Sequence, residues 1–377
     1  MNRIQELIKE LCPNGVEWKT LGEIGTFVRG NGLQKSDFKE SGIGCIHYGQ
    51  IYTYYGLFTD KTKSFVSPDL AEKLKKVEPG DIILACTSEN IEDVCKCVVW
   101  EGTDIIVTGG HASIFKHNQN PRYIAYFFKS SVFEKQKIKY VYGAKVIDIK
   151  NDDLAKIEIP LPPLPVQTEI VRILDKFVEQ QEQLEKLIAL RTKQYEYYRE
   201  EMLTAKEGEE WETKTLGEIA KISIGKKPNN ILEKGAFEYI NAGTTCSGYS
   251  DDYNFEGDVI TTPSRGEGGI GFVGYQNKRF WCGPLCYVID TSENNKFIYH
   301  YLSLHNNLIL DLKCEGGVPA LNRKDLVTIK LQIPTKDIQN EIVKTLDSFE
   351  SSISALTSAL ELSKKRYEHY RDEMLRF

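Results

Sequence analysis

No stretch of the 377 residues approaches the roughly 18 consecutive apolar side chains of a membrane span, and residues 1–11 alternate polar with apolar positions instead of forming the apolar core of a secretory signal. The protein is expected in the cytoplasm, with no membrane partner. Its nine cysteines are odd in number and include no CxxC pair, which fits reduced thiols rather than a disulfide framework. Cys282, Cys286, His300 and His305 can be imagined around zinc, but their spacing matches no common ligand set, so no metal is expected. The chain has no GxxxxGK[ST] phosphate loop and no Asn-Pro-Pro-aromatic run, and therefore no sign of an ATP-driven motor or of amino-methyl transfer. Residues 266–271 spell GxGxxG, yet Phe272-Val273-Gly274-Tyr275 continues as strand where a dinucleotide site needs a helix, so a hairpin loop is expected there. A formal charge of −6 and a pI near 5.7 argue against a uniformly basic nucleic-acid binder; any such role must rest on local patches or on a basic partner.

What is present is repetition. Sliding the chain along itself by 172 positions pairs Gln167 with Gln339, Leu174-Asp175 with Leu346-Asp347, Tyr198-Arg199 with Tyr370-Arg371 and Glu201-Met202-Leu203 with Glu373-Met374-Leu375. Within each copy apolar residues recur every seven: Ile170, Phe177, Leu184 and Tyr198, flanked by Leu174, Ile188, Tyr195 and Met202; then Ile342, Phe349, Leu356 and Tyr370, flanked by Leu346, Ile353, Leu360, Tyr367 and Met374. A seven-residue repeat is a coiled-coil seam. Neither copy has an interior proline or glycine, and each is expected to start just after a proline, Pro165 or Pro334. At about 1.5 Å per residue such a segment is a rod of about 60 Å. The two rods most plausibly pack on each other, antiparallel. Polar Arg191 and Ser363 interrupt the seam at equivalent positions, where they either fix register or lie at the exposed ends of the stripe.

The segments before the rods open alike: Lys19-Thr20-Leu21-Gly22-Glu23-Ile24 returns as Lys214-Thr215-Leu216-Gly217-Glu218-Ile219. Residues 44–48, 80–84, 237–241 and 257–261 read as strands entered from turns, and 123–133 and 297–304 as short helices. Residues 146–154 and 318–326 align at the 172-residue shift, whereas the middles of the segments barely resemble each other. The expected fold class is α/β (α+β): β-rich globules at 1–160 and 207–333, long helices at 161–206 and 334–377, related by an internal pseudo-two-fold repeat.

These residues resemble the specificity subunit of Type I restriction-modification systems. The Lys-Thr-Leu-Gly-Glu-Ile starts, the Val-Pro-Ala-Leu-Asn-Arg-Lys-Asp-Leu run at 318–326, the Ile-Pro-Leu-Pro-Pro-Leu-Pro-Val-Gln-Thr-Glu-Ile run at 159–170 and the tyrosine-rich ends at 195–203 and 367–375 carry the resemblance over the whole chain. One departure is Gly143-Ala144-Lys145-Val146-Ile147-Asp148, which replaces the proline-containing Gly316-Gly317-Val318-Pro319-Ala320 of the second copy and leaves the local turn of the first domain open. The resemblance implies a non-catalytic subunit whose two target recognition domains each read half of a bipartite double-stranded DNA sequence. Two modification (methyltransferase) subunits dock on its helices and restriction (ATP-dependent nuclease) subunits join them; S-adenosylmethionine, ATP and Mg belong to those partners. The competing expectation is a structural or protein-binding adaptor with two globules on a spacer.

Candidate DNA contacts are His47, Tyr48, Gln50 and Tyr52, read as a strand running into a loop, with Gln50 suited to adenine. A basic stretch at Lys135, Lys137, Lys139, Lys145 and Lys150 suits phosphates. In the second segment the candidates are Lys226, Lys227, Asn241, Thr244, Ser264, Arg265 and Arg279, with Arg265 foremost because a guanidinium matches guanine O6 and N7. The alternative is that these cations are solvated surface. Tyr195, Tyr198, Tyr367 and Tyr370 are candidates for partner docking or, equally, for ordinary packing.

Overall fold

The structure, a computed structural model, describes residues 2–266, 268–314 and 317–377. Glu267 of the 266–271 run and Gly316 of the second turn lie outside the described residues. The chain forms two compact units, residues 1–184 with 359–377, and residues 185–358. Among the described residues no helix is long and apolar enough to cross a membrane.

Each unit is built on one antiparallel triplet of strands. In the first, Ala112–His117 lies between Gly25–Arg29 and Ile82–Ala85; in the second, Cys286–Thr291 lies between Ala220–Ile224 and Val259–Pro263. The first sheet continues through Cys97–Trp100 to Phe58–Thr59, and a four-stranded sheet accompanies it. The second adds Gly274–Gln276, antiparallel to Val259–Pro263, so the described residues of the 266–271 run lie between two antiparallel strands rather than ahead of a helix. The outer strands Gly25–Arg29 and Ala220–Ile224 are mostly half-buried or exposed, while Ile82–Ala85 and Val259–Pro263 are buried throughout, as strands covered on both faces must be. Helices follow the middle strand of each triplet: Pro121–Phe128 and Ser131–Lys137 after Ala112–His117, where the sequence suggested one helix, and Asn295–Leu304 after Cys286–Thr291.

The duplicated motifs close each unit on itself. Trp18–Thr20 pairs with Glu158–Pro160, and Glu212–Thr215 with Lys330–Ile333, fastening each opening to the lead-in of a long helix. Thr20 and Glu23 form a capping box, as do Thr215 and Glu218, with the carboxylate taking the threonine N–H at 2.6 Å in both. The glycine between them is a close approach: a Cβ on Gly22 would meet Ala155 Cβ at 3.1 Å, and one on Gly217 would meet Val327 Cβ at 3.0 Å.

The long helices are Leu164–Met202 and Lys336–Met374. The first starts one residue before Pro165, not after it; in the first turn the missing N–H costs nothing. In the second unit Tyr195 donates to Glu350 at 2.9 Å and Tyr198 stacks on Phe349 at 5.4 Å, so the helices run antiparallel there. In the first unit Phe177 stacks on Tyr370 at 5.6 Å, the same pair under the 172-residue shift. Of the seam, Ile170 and Ile342 are fully buried, whereas Leu184, Ile188, Leu356 and Leu360 are half-buried. Neither polar seam residue bonds across the pair: Arg191 donates to Gln194 on its own helix, and Ser363 Oγ has no partner among the described residues.

A buried glutamine anchors each long helix to its sheet. Gln167 accepts from the Asn120 N–H at 3.1 Å and donates to Pro162 O and Gln119; Gln339 accepts from the Asn294 N–H at 3.0 Å and donates to Pro334 O and Glu293. Gln167→Leu fills the space but leaves the Asn120 N–H and Pro162 O unpaired, and is expected to cost roughly 1–3 kcal/mol in urea unfolding.

Candidate nucleic-acid interface

Strand direction fixes where the free loops go. In the second unit Cys286–Thr291 ends at the anchor, beside Asn294, so its start and the ends of its two antiparallel neighbours lie at the opposite, distal rim. Hydrogen bonds join four segments along that rim. Lys226 N–H donates to Cys282 O (3.0 Å) and Gly283 N–H to Ile240 O (2.8 Å), Asn241 Oδ1 accepts from Leu285 N–H (3.0 Å), and Ser264 N–H donates to Leu285 O (2.9 Å). Arg265 is bridged to Ala320 in the turn beyond. Lys226, Lys227, Thr244 and Arg265 are exposed on this rim, and none of the three cations pairs with an acid among the described residues. Asn241 and Ser264 are on the rim but committed to it: Asn241 holds the Leu285 loop and Ser264 is buried. Arg279 is not there. It lies at the other end of its strand, ion-paired to Glu256 at 2.8 Å and over the Tyr253 ring, where a nucleic-acid contact would first have to break that pair.

The first unit has the same rim with different side chains. His47, Tyr48 and Tyr52 do lie on it, at the end of Ile43–Ile46, but the chain continues as a helix, Tyr48–Thr53, and not as a loop. His47 is its N-cap: its Nδ1 accepts from the Gly49 N–H, while Gln50 Oε1 accepts from the His47 N–H and Gln50 Nε2 donates to Ser64. Both amide atoms of Gln50 are used, which leaves no bidentate face for adenine. Tyr52 is likewise spent, donating to Thr87 O at 2.8 Å. Burial, with Lys35 and His111 nearby, keeps the His47 imidazole below its usual range.

Sequence reasoning missed His111, Thr87, Arg29 and Asp148, which occupy the same rim. The His111 ring is 4.8 Å from Tyr48 and its Nδ1 is 3.1 Å from Thr87 Oγ1, and Asp148 accepts from Thr87 (2.7 Å) and Arg29 (3.1 Å). The adjacent glycines 109–110, which end a strand, were the available signal. The basic stretch is broken up. Lys137 is fully buried, its ammonium held by Glu134, Val94 O and Glu92 O, and it cannot meet a phosphate. Lys135 and Lys139 are exposed on or just after a helix whose first N–H donates to Asp372 of the second long helix, away from the rim. Lys145 is exposed in the turn at the rim; Lys150, also exposed, lies 5.4 Å from the Tyr142 ring. That turn has the same bridge in both units, Tyr142 with Asp148 and Cys314 with Ala320, so losing the proline does not change its backbone pairing.

Three of the four tyrosines proposed for docking are packing residues. Tyr367 is buried against Tyr126, Tyr370 covers Phe177 and Tyr195 bonds Glu350, while Tyr198 stacks yet stays 44% exposed.

The four residues imagined around zinc do not converge: Cys282 and Cys286 sit in the core near the rim, and His300 is on the anchor helix. His300, Asp347 and Glu350 instead place one ligand atom each within 4.8 Å of one another. Lys296 is already 2.6 Å from Asp347, and Tyr195 bonds Glu350. In the first unit the equivalent Asp175 is clamped by Arg122 (2.7 Å) and Tyr126 (2.5 Å), which makes this cluster a structural clamp with histidine in place of tyrosine. Burial, aided by Lys296 and Arg199 and opposed by Asp347, lowers the His300 imidazole from 6.5 to about 4. The unfolded chain therefore takes up this proton first, and stability is lost as pH falls from 6.5 toward 4. His300→Tyr should flatten that part of a stability-against-pH curve measured by urea unfolding.

The family model of the Type I restriction modification DNA specificity domain matches residues 13–191 and 208–362. The chain is 33% identical over 264 residues to the EcoR124I/EcoR124II specificity subunit of Escherichia coli, covering 61% of this chain and 65% of that one. It is 29% identical over 310 residues to a putative type I restriction enzyme specificity subunit of Haemophilus influenzae, covering 74% and 76%. The crystal structure of a Type I restriction-modification S subunit from M. genitalium superposes with a TM-score of 0.66 at 18% identity over 97% of each chain, a likeness of fold. With both repeats matched, the chain belongs to the family of Type I restriction modification DNA specificity domains.

Proposed function

We propose that this protein is the sequence-reading subunit of a Type I restriction-modification complex. Its domains at 1–160 and 207–333 each take one half of a bipartite double-stranded DNA target, and the helices at 161–206 and 334–377 set the gap. The observation that carries this reading is the pair of distal rims, alike in backbone and unlike in side chains. In the second unit the rim bears the unpaired cations Lys226, Lys227 and Arg265, whose charge suits phosphates and, for Arg265, a guanine edge. In this reading the chain carries no chemistry of its own. Two modification subunits dock on the helices, restriction subunits join them, and S-adenosylmethionine, ATP and Mg are bound by those partners. The whole complex is cytoplasmic, where its DNA is.

Arg265→Ala is expected to weaken specific DNA binding by the assembled complex by roughly 1–3 kcal/mol and relax one half-site. Lys226→Ala should weaken all sequences alike and reduce the salt dependence by about one phosphate's share. Unchanged affinity and target sequence in Arg265→Ala would remove that residue from the reading. Inserting one heptad after Glu182 tests the spacer role: a methylation footprint should show a longer gap between unchanged half-sites, because each reader must meet its groove in register with the repeat of about 10.5 base pairs. A structural adaptor would show no sequence-selective binding with its partners present.

A further inference from the structure

The repeat exposes an asymmetry. In the first unit the N-terminal helix, Asn2–Leu11, lays Ile4 into the core, with Leu7 and Ile8 packed against it. It lies beside the start of the first long helix. There Val166 is fully buried, the Glu169 side chain is 15% exposed, and the Glu169 carboxyl is held below its usual range by Arg172 and then, against partial burial, by Arg3 of the N-terminal helix.

The 172-residue shift carries this site onto the second unit: Val166 becomes Ile338, Glu169 Glu341, Ile170 Ile342, Met374 Met202 and Tyr370 Tyr198. No helix covers it. The chain leaves Met202 and reaches the strand Glu212–Thr215 without another helical turn. Ile338 is accordingly 43% exposed where Val166 is 0%, and Glu341 and Tyr198 are exposed where their counterparts are half-buried. The result is a groove of about 560 Å³ with Met202, Trp211, Ile338 and Ile342 along its apolar part. Glu209, Glu210 and Glu341 lie at its edge, and the basic Lys206 there is already paired with Glu201 at 2.8 Å.

We propose that this groove is a docking site for a short amphipathic helix with a basic flank, supplied by a partner protein. The first unit shows what fits: an apolar face at i, i+3 and i+4, as in Ile4, Leu7 and Ile8, with a cation placed against the glutamate at Glu169 or Glu341. The acidic edge sets the charge of the occupant. The inference rests on the internal repeat alone and stands whether or not the rims read DNA.

The test uses the full chain and a fluorescein-labelled peptide of residues 2–11 as probe. Saturable binding by fluorescence anisotropy is expected. Ile338→Glu should weaken it about tenfold or more, since an apolar face would then meet a charge, and should leave the melting curve unchanged because Ile338 is already part-exposed. Glu10→Lys in the peptide should tighten binding, and added salt should weaken it. Absence of binding, or binding indifferent to Ile338→Glu, overturns the proposal, the latter because the peptide would then be displacing the chain's own N-terminal helix. A peptide that gains nothing from Glu10→Lys overturns the basic flank. Concentration-dependent dimers in sedimentation, abolished by Ile338→Glu, overturn the partner assignment in favour of a second copy.

Discussion

The antiparallel seam is the constraint on which the rest depends, because the first unit is incomplete without the end of the chain. Its core begins with Ile4 and is closed by Tyr367, Met374 and Leu375, all buried in the same apolar cluster as Ile170 and Leu174. Burying an isoleucine or leucine of this kind contributes about 1.5–3 kcal/mol, so the last helical turns stabilise a sheet laid down some 250 residues earlier, at the cost of closing a very long loop. The second unit, 185–358, is continuous, yet it uses the same contact in mirrored order: Tyr198 on Phe349 there, Tyr370 on Phe177 in the first. Each aromatic pair of the seam thus has a copy in the other unit, and changing one residue alone would break a contact the other unit still makes.

This explains which residues repeat. The capping-box threonine and glutamate, the glycine pressed against Ala155 or Val327, the anchoring glutamine and the aromatic stack all hold a unit to its helix. At the rims the backbone repeats and the side chains do not. The bridge from Asp148 reaches Thr87 in the first unit, and that from Ala320 reaches Arg265 in the second. A threonine in a closed network with Asp148 and Arg29, and a free arginine, stand at equivalent places on one scaffold. Exchanging side chains there leaves every anchoring contact untouched, the condition under which a recognition surface can change without refolding.

The parts legible in the sequence were those governed by local period or by duplication. The seven-residue stripe gave the helices, and turn chemistry gave the hairpin at 266–271 and the strand entries. What stayed hidden was the use of polar groups. His47 and Gln50 stand three apart, a capping spacing that local rules can recognise, and they were read instead as free donors. Lys137 looked like its exposed neighbours because its burial depends on carbonyls 43 and 45 residues away, at Val94 and Glu92. Arg279 needed Glu256 from the adjoining turn. The groove beside Trp211 could not be seen either, since it depends on which of two equivalent sites a short helix covers.

The acidic balance of the chain loses its force once charges are sorted by place. Near the sheets' anchored ends cations are consumed: Arg122 by Glu101 and Asp175, Lys116 by Asp81 and Glu78, Lys214 by Glu212 and Glu293, Lys296 by Asp347. Those pairs are dipoles at a distance, not net charge. At physiological salt a field fades over about 8 Å, so a phosphate approaching the second rim responds to Lys226, Lys227 and Arg265 far more than to the formal −6 of the whole chain. A protein can therefore be acidic in total and still offer an anion an attractive edge. The excess acid lies partly where the inferred helix groove is, so the same sorting that frees the rim for anions prepares another surface for cations.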